Sequence, residues 1–381
     1  MTSRQYDTEV LIIGAGTSGL ALGYELERGG AVVRIVEAAR RPAERWRHRH
    51  PQLHLNTHKL LSHLPGRRFA RNVSGFPTRN EVIRYIEHYE RRLNVSVEYG
   101  VRIDAIRREG DLWLADRVKG LITARDLVIA TGPDNHPVIP DWPGKETFTG
   151  ELIHAADFGA AEQYADKRVL LVGAGNSSVD IANHLARVGT NALWMSVRGG
   201  STVVPQYVLG APVHLLTPMM RPLPVSMIDR IASWMSRWFC GDLRKFGMPS
   251  PEKGALSRIL DDGAAPAIDN GFSRALKEGR IKIAPAIERF ENSKVYLVDE
   301  MSLEPDVVIC GTGYRTGLET LVGDLDVLDA NGAPMFSADQ SSPAYPGLWF
   351  FGFKNSFWGN LNERRHEARR LANRIAKRQS V

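Results

Sequence analysis

Apolar and polar positions divide the chain into short, wholly apolar runs, each followed by an amphipathic stretch. Residues 10–13 are apolar throughout, as a parallel strand covered on both faces requires. They lead into a glycine-rich turn and then a helical pattern reaching Arg28. The same order recurs far downstream: residues 10–28 read VLIIGAGTSGLALGYELER and residues 169–187 read VLLVGAGNSSVDIANHLAR. A unit that occurs twice and far apart is a duplicated type of domain, not a solenoid. Residues 126–130 and 306–310 are further buried strands, ending in Ala130-Thr131-Gly132 and Gly311-Thr312-Gly313; residues 347–353, GLWFFGF, make another. Residues 78–93 predict an amphipathic helix carrying Val82, Ile83, Tyr85, Ile86, Tyr89 and Leu93, opened by a capping box of Thr78 and Glu81. Segments 95–98, 101–108, 111–115 and 121–124 predict strands of a small sheet. Residues 225–239 predict a helix with Met227, Ile228, Ile231, Met235 and Trp238 on one face, either packed on the body of the protein or touching a membrane or substrate channel. A long final helix is expected over about 361–377, after Gly359 and Asn360.

Each glycine turn reads as a pyrophosphate cradle. Gly14 makes the tight turn, Gly16 lets backbone approach the phosphates, and Gly19 lets the helix pack close to the strand; Gly173, Gly175 and Ser178 take these places in the second copy, serine being small enough for the third. Ser18 in the first copy, and Asn176 and Ser177 in the second, open helices whose free N–H groups and dipole favour negative charge. A lone GxGxxG is weak evidence, but here each copy follows a strand and opens a helix. The tip of the next strand sorts the ligands. Glu37, after AVVRIV, accepts hydrogen bonds from a ribose diol and repels a 2′-phosphate, which suits FAD. Arg198, after NALWMSV, pairs with a 2′-phosphate and points to NADPH, unless it is a solvated strand-end arginine. Thr131 and Gly132, and Gly311, Thr312 and Gly313, complete the expected cofactor-binding residues.

The expected architecture is α/β: two Rossmann-like three-layer dinucleotide-binding domains, separated by the proline-rich run at 133–144. The FAD domain is discontinuous, residues 1–147 plus 306–381, and the NADPH domain spans 148–305.

Composition removes several alternatives. Cys240 and Cys310 are the two cysteines and have no CxxC spacing, which excludes a disulfide framework and disfavours a protein dithiol as redox carrier. They fit a cytoplasmic location. The net charge of +6 comes from dispersed basic residues without a nucleic-acid motif, so the expected anionic partner is a phosphorylated dinucleotide and not a nucleic acid. There is no signal-peptide core and no run near the ~18 uninterrupted apolar residues of an integral membrane span. Five histidines fall within 48–63 (His48, His50, His54, His58 and His63), but without cysteine or carboxylate partners at recognised spacings, so no metal is expected.

Residues 148–158, FTGELIHAADF, match the FxGxxxHxxx(aromatic) fingerprint of the class B flavin-dependent monooxygenases, which include the flavin-containing monooxygenases and the YUCCA-type enzymes of plants. The resemblance covers nearly the whole chain, and the strings GAGNSSVDIA, FGMPSPEKG and VVICGTGYR are similar to the YUCCA-like branch. Two positions depart from the pattern. Phe158 stands where flavin-containing monooxygenases have Tyr and Baeyer–Villiger enzymes have Trp, and Gly311-Thr312-Gly313 replaces the usual ATG. Residues 53–57, LHLNT, resemble the segment that carries an asparagine beside the flavin ring. The resemblance thus implies Asn56 as the catalytic amide; a loop asparagine satisfying its own backbone is the alternative. It further implies that NADPH reduces FAD, that O2 adds to give a C4a-(hydro)peroxyflavin shielded by NADP⁺, and that one oxygen atom passes to a sulfide, an amine or a carbonyl carbon. His154 is expected to link the domains and not to act as a base, and the turn at Gly359 and Asn360 to aim helix amides at the flavin. The partners are then a small-molecule substrate and O2, with a homodimer left open. An NADPH-dependent flavin reductase or oxidase producing peroxide, and a non-catalytic NADPH-binding protein, are the competing readings.

Overall fold

Alternation within the buried strands builds two layers of core on each of two sheets. The computed structural model describes residues 6–337, 340–342 and 344–379. Strand β1 (Thr8–Ile13) sends Val10 and Ile12 into one cluster and Leu11 and Ile13 into another on the opposite face, all of them buried. It pairs in parallel with β2 (Val33–Glu37), Ile13 lying opposite Val36, and β2 pairs in parallel with β3 (Ser96–Tyr99). Strands β4 (Ala105–Glu109) and β5 (Leu112–Arg117) form an antiparallel meander with β6 (Gly120–Ile129).

The small separate sheet expected here does not exist. Strand β6 is ten residues long, enough to serve two partners: its first half pairs with β5, and its second half pairs in parallel with β1 and with a strand at Leu348–Phe350. The meander therefore extends the same seven-stranded sheet, and β3 sits at its far edge.

The second sheet is parallel throughout. Its strands are β7 (Glu151–His154), β8 (Arg168–Val172), β9 (Ala192–Ser196), β10 (Lys282–Ala284) and β11 (Val307–Cys310), in the order β10-β9-β8-β11-β7. This shifts the expected division of the chain. The expected return to the first domain at residue 306 is displaced: β11 pairs with β7 and β8, and the chain rejoins the first sheet only at Leu348–Phe350. The reason is steric and topological: β11 stands to the second glycine turn as β6 stands to the first.

Helix α1 (Thr17–Arg28) lies over the first sheet beside α2 (Arg79–Glu90), with Leu20, Leu22, Val82 and Ile86 in a common core. The capping box of α2 is formed: Thr78 Oγ1 accepts from Glu81 N, and Glu81 Oε2 accepts from Thr78 N at 2.8 Å. Helix α3 (Asn176–Val188) covers one face of the second sheet through Val179, Ala182 and Leu185. In α4 (Val225–Met235) the single apolar face that the sequence predicts is split. Ile228, Ala232 and Met235 are buried, whereas Met227, Trp234 and Trp238 are exposed, and the helix widens into a five-residue π-turn at Ser236–Cys240. Helix α5 (Asn360–Gln379) packs its Ala368, Leu371 and Ile375 into the same core as α1. Among the described residues, no helix is long and apolar enough to cross a membrane.

The two departures at the second glycine turn are a single steric exchange. In the first unit a Cβ on Gly19 would lie 1.9 Å from Gly14 O, so the third position is closed to any side chain. In the second, Ser178 occupies that position, its hydroxyl donating to Val172 O at 3.2 Å, and a Cβ on Gly311 would fall 2.0 Å from Ser178 Oγ. The strand-end residue is Ala130 in the first unit and Gly311 in the second, because the serine takes the room of the alanine methyl. Gly311→Ala is expected to lower unfolding stability in urea by about 1–3 kcal/mol, and Ser178→Gly in the same chain to restore most of it. A double variant as unstable as Gly311→Ala alone would refute the exchange.

Candidate functional site

Both glycine turns are shaped by a neighbouring strand. Gly14 has φ +109° and Gly173 φ +106°, conformations that favour glycine, and a Cβ on either would meet the strand beside it: Ala130 O at 2.7 Å and Gly311 O at 2.6 Å. Gly16 and Gly175 differ. Nothing lies within 4 Å of their would-be Cβ atoms, and they are the N-caps of α1 and α3 with nearly identical extended backbones (φ −73°, ψ −175° and φ −80°, ψ 179°). Neither helix start has a side-chain cap, so the first-turn amides face open space. That is the donor set and the clearance a pyrophosphate needs.

Beside the first turn, Glu37 ends β2 half-buried, with Oε2 accepting from Ala15 N and Oε1 from Ala39 N, each at 2.8 Å. A carboxylate has about four acceptor sites, so both oxygens can still accept from a diol. Thr131 Oγ1 is buried with no hydrogen-bond partner, a cost of about 1–3 kcal/mol that a ligand in the cradle would relieve. Gly132, at φ +80°, opens onto free space. Ser18 is turned away: it is buried, and a Cβ on Gly352 would lie 2.1 Å from its hydroxyl oxygen.

At the second turn, backbone register locates Arg198. Gly14 N donates to Val36 O at 2.8 Å and Gly173 N to Ser196 O at 2.9 Å, so Ser196 corresponds to Val36 and buried Val197 to Glu37. Arg198 therefore lies one residue past the carboxylate position, which is apolar here. It is exposed and makes no hydrogen bond or ion pair among the described residues. Gly311 belongs to this turn. Thr312 and Gly313 do other work: Thr312 Oγ1 donates to Val138 O, and Gly313 O accepts from Val138 N at 3.1 Å and from His154 Nε2 at 3.0 Å. Both hold the link between the units.

Asn56 meets the opposite unit. Its Nδ2 donates to Asn176 Oδ1 at 3.2 Å, and Asn176 is itself fixed, accepting from Ile268 N at 3.1 Å and donating to Pro266 O at 2.8 Å. The side chain is thus bonded across the units and not to its own backbone. Nearby is a residue the sequence reading missed. His214 Nδ1 accepts from His58 N at 3.1 Å while Nε2 donates to Trp358 O at 3.0 Å, so one buried imidazole ties the 56–58 segment to the start of α5. Gly359, at φ +89°, allows this approach, since a Cβ there would lie 2.5 Å from His214 Nε2. No periodicity or spacing in the sequence marks His214.

The fingerprint proves to be packing. Phe148 sets its ring edge-on to Phe290 at 5.2 Å, and a Cβ on Gly150 would lie 2.7 Å from Asp306 O. His154 has both nitrogens engaged, Nδ1 accepting from Ala156 N at 3.0 Å, so it cannot serve as a base without losing a contact. Phe158 is fully buried and stacked on Tyr164 at 5.1 Å. A tyrosine hydroxyl there would need a buried partner.

Residues 122–331 match the family model described as flavin-binding monooxygenase-like, and residues 11–206 the one described as pyridine nucleotide-disulphide oxidoreductase. A probable indole-3-pyruvate monooxygenase of Arabidopsis thaliana, YUCCA3, is 30% identical over 378 residues, covering 96% of this chain and 86% of that protein. A second, YUCCA8, is 31% identical over 360 residues, covering 90% and 83%. Among solved structures, a flavin-containing monooxygenase from Stenotrophomonas maltophilia is similar at a TM-score of 0.75 and 21% identity, covering 98% of this chain and 99% of that one. A bacillithiol disulfide reductase from Staphylococcus aureus reaches 0.70 at 16% identity, covering 98% and 99%. At such identities the structural likeness is one of fold.

Burial gives three histidines a pH dependence. Desolvation lowers the pKa values of His63, His154 and His214 below the ordinary 6.5. Below 6.5 the unfolded chain takes protons that the folded chain refuses, so their contribution is complete above that pH and is lost as pH falls through the lowered values. The urea midpoint is expected to drop on acidification from pH ~6.5 to ~5. His214→Gln, which keeps a donor and an acceptor but does not titrate, should flatten that drop. Identical slopes for the two proteins would contradict the assignment.

Proposed function

The chain belongs to the flavin-binding monooxygenase-like family, and we propose that it is an NADPH- and O2-dependent monooxygenase that oxygenates a small organic substrate. Gly14, Gly16 and Gly19 with the first turn of α1 would hold the FAD pyrophosphate, Glu37 its ribose diol, and Thr131 and Gly132 its near edge. Gly173, Gly175, Asn176, Ser177 and Ser178 would hold the NADPH pyrophosphate, with Gly311 giving the clearance and Arg198 taking the 2′-phosphate. When bound, these groups supply hydride transfer and oxygen activation, one oxygen atom leaving in the product and the other as water.

The observation that carries this reading is the Asn56–Asn176 hydrogen bond. It joins a segment of the first unit to the first helical residue of the second cradle, which supports Asn56 as an amide donor at the junction of the units. Asn56 would orient the reacting groups by hydrogen bonding, and His214 would hold the 56–58 segment against the start of α5. Neither His154 nor His214 is free to carry a proton. The relatives named indole-3-pyruvate monooxygenases favour a 2-oxo acid as substrate, ahead of a sulfide or amine. Thiol–disulfide chemistry is disfavoured. Cys240 and Cys310 are both buried, and desolvation pushes Cys310 up to about 12, leaving no thiolate to react at neutral pH.

Two measurements test the proposal. With arylpyruvate-type 2-oxo acids, sulfides and amines as candidate substrates, NADPH consumption should match oxygenated or decarboxylated product. Consumption yielding only peroxide with all three classes would establish an oxidase instead. Arg198→Ala should raise KM for NADPH by about ten- to a hundredfold, the equivalent of a charge-assisted contact of about 1.5–3 kcal/mol, and leave KM for NADH nearly unchanged. Equal effects on both nucleotides would remove the phosphate-binding role.

A further inference from the structure

The histidine-rich segment at 48–63 has no carboxylate at metal-binding spacing in the sequence, and the fold supplies one from the other unit. Asp180, on α3, faces His184 one turn later on the same helix and His50 from the first unit. Asp180 Oδ2 lies 3.0 Å from His50 Nε2, Asp180 Oδ1 lies 3.5 Å from His184 Nε2, and one donor atom from each of the three residues falls within 4.8 Å of the others. The His50 side chain is 8% exposed, with the His184 ring 5.5 Å away on one side and the Phe158 ring 5.5 Å away on another.

The close approaches leave polar atoms over: Asp180 Oδ2 and His50 Nδ1 are both buried with no aligned hydrogen-bond partner. Two unsatisfied polar atoms in one buried cluster are costly and call for an occupant. Two imidazoles and one carboxylate within 4.8 Å of one another are the donor set of a zinc-type ion.

We propose that His50, Asp180 and His184 form a binding site for a divalent first-row transition ion of the zinc type, bridging the two nucleotide-binding units. The ion would pin the 48–58 segment, which carries Asn56, onto the helix that carries Asn176. It is a tie between the units and takes no part in the oxygenation proposed above, so the two readings stand or fall separately.

The test uses untagged holoenzyme with its flavin bound, stripped of metals by a chelator. Titration with Co²⁺ should produce ligand-field bands at longer wavelength than the flavin absorption, saturating at a single equivalent and abolished by Zn²⁺. The thermal midpoint should rise with free Zn²⁺, as binding to the folded state requires. X-ray absorption of the zinc-loaded wild type should show two imidazole ligands and oxygen, a readout that needs no variant. His50→Gln, Asp180→Asn and His184→Gln should each weaken binding at least about tenfold, and His48→Gln, whose side chain is 73% exposed in the same segment, should not. Absence of a stoichiometric cobalt spectrum, a coordination shell without two imidazoles, or binding undiminished in the His50 and His184 variants would each overturn the site.

Discussion

Two backbone oxygens govern this architecture. Ala130 O and Gly311 O come so close to the residue opening each turn that no side chain fits there, and a positive φ is imposed on Gly14 and Gly173. Once the turn is set, the following residues enter a helix with their amides uncapped and facing the clearance over Gly16 and Gly175. The anion cradle thus follows from strand packing, and it needs no charged residue of its own. The same contact fixes topology. The strand providing the oxygen must lie beside the strand leading into the turn, which puts β6 next to β1 and β11 next to β8. The late return of the chain to its first sheet is a consequence.

Beside aromatic contacts such as Phe76 on Tyr207, polar and directional bonds join the two units. Gly313 O gathers Val138 N and His154 Nε2, His214 spans two segments, and Asn56 reaches Asn176. Each such bond is worth only about 0.5–1.5 kcal/mol net, far less than the apolar clusters inside each unit. Geometry and not energy is their contribution. Hydrogen bonds fix angles that apolar packing leaves loose, and two cofactors that exchange a hydride must be held to a fraction of an ångström.

Legibility in the sequence followed the range of the cause. The paired strand–turn–helix units, the capping box of α2 and the final helix were readable because each is fixed within a few residues by period, glycine placement or capping chemistry. Glu37 could be placed by counting along a short strand, whereas the same count put Arg198 at the corresponding tip and the register puts it one residue beyond. The membership of residues 306–310 was not readable, since a run such as VVIC has the same composition in the middle of either sheet. Strand β6 was divided in two at Arg125, between the expected segments 121–124 and 126–130, whereas it runs on through that residue, with Thr123 in an edge contact with Asp7 and Asp126 buried against Trp349 and Arg378. His214 and the meeting of His50 with Asp180 depend on segments far apart in the chain, where spacing carries no information.

The two cradles share a backbone but differ in how the proposed specificity residue is held. Glu37 is half-buried and already bonded to two main-chain amides, so its position is set before any ligand arrives. Arg198 is exposed and unattached, and a long side chain of that kind gives up rotamer freedom when it closes on a phosphate. In the proposed reaction the first ligand is resident and the second comes and goes with each turnover. A preorganised carboxylate favours retention, because no ordering cost opposes binding; a mobile guanidinium lowers net affinity while keeping discrimination for the phosphate, which favours exchange. The Ser178–Gly311 exchange fits the same division: the second turn has loosened its packing by a side chain, and the first has kept the tightest contact that backbone alone allows.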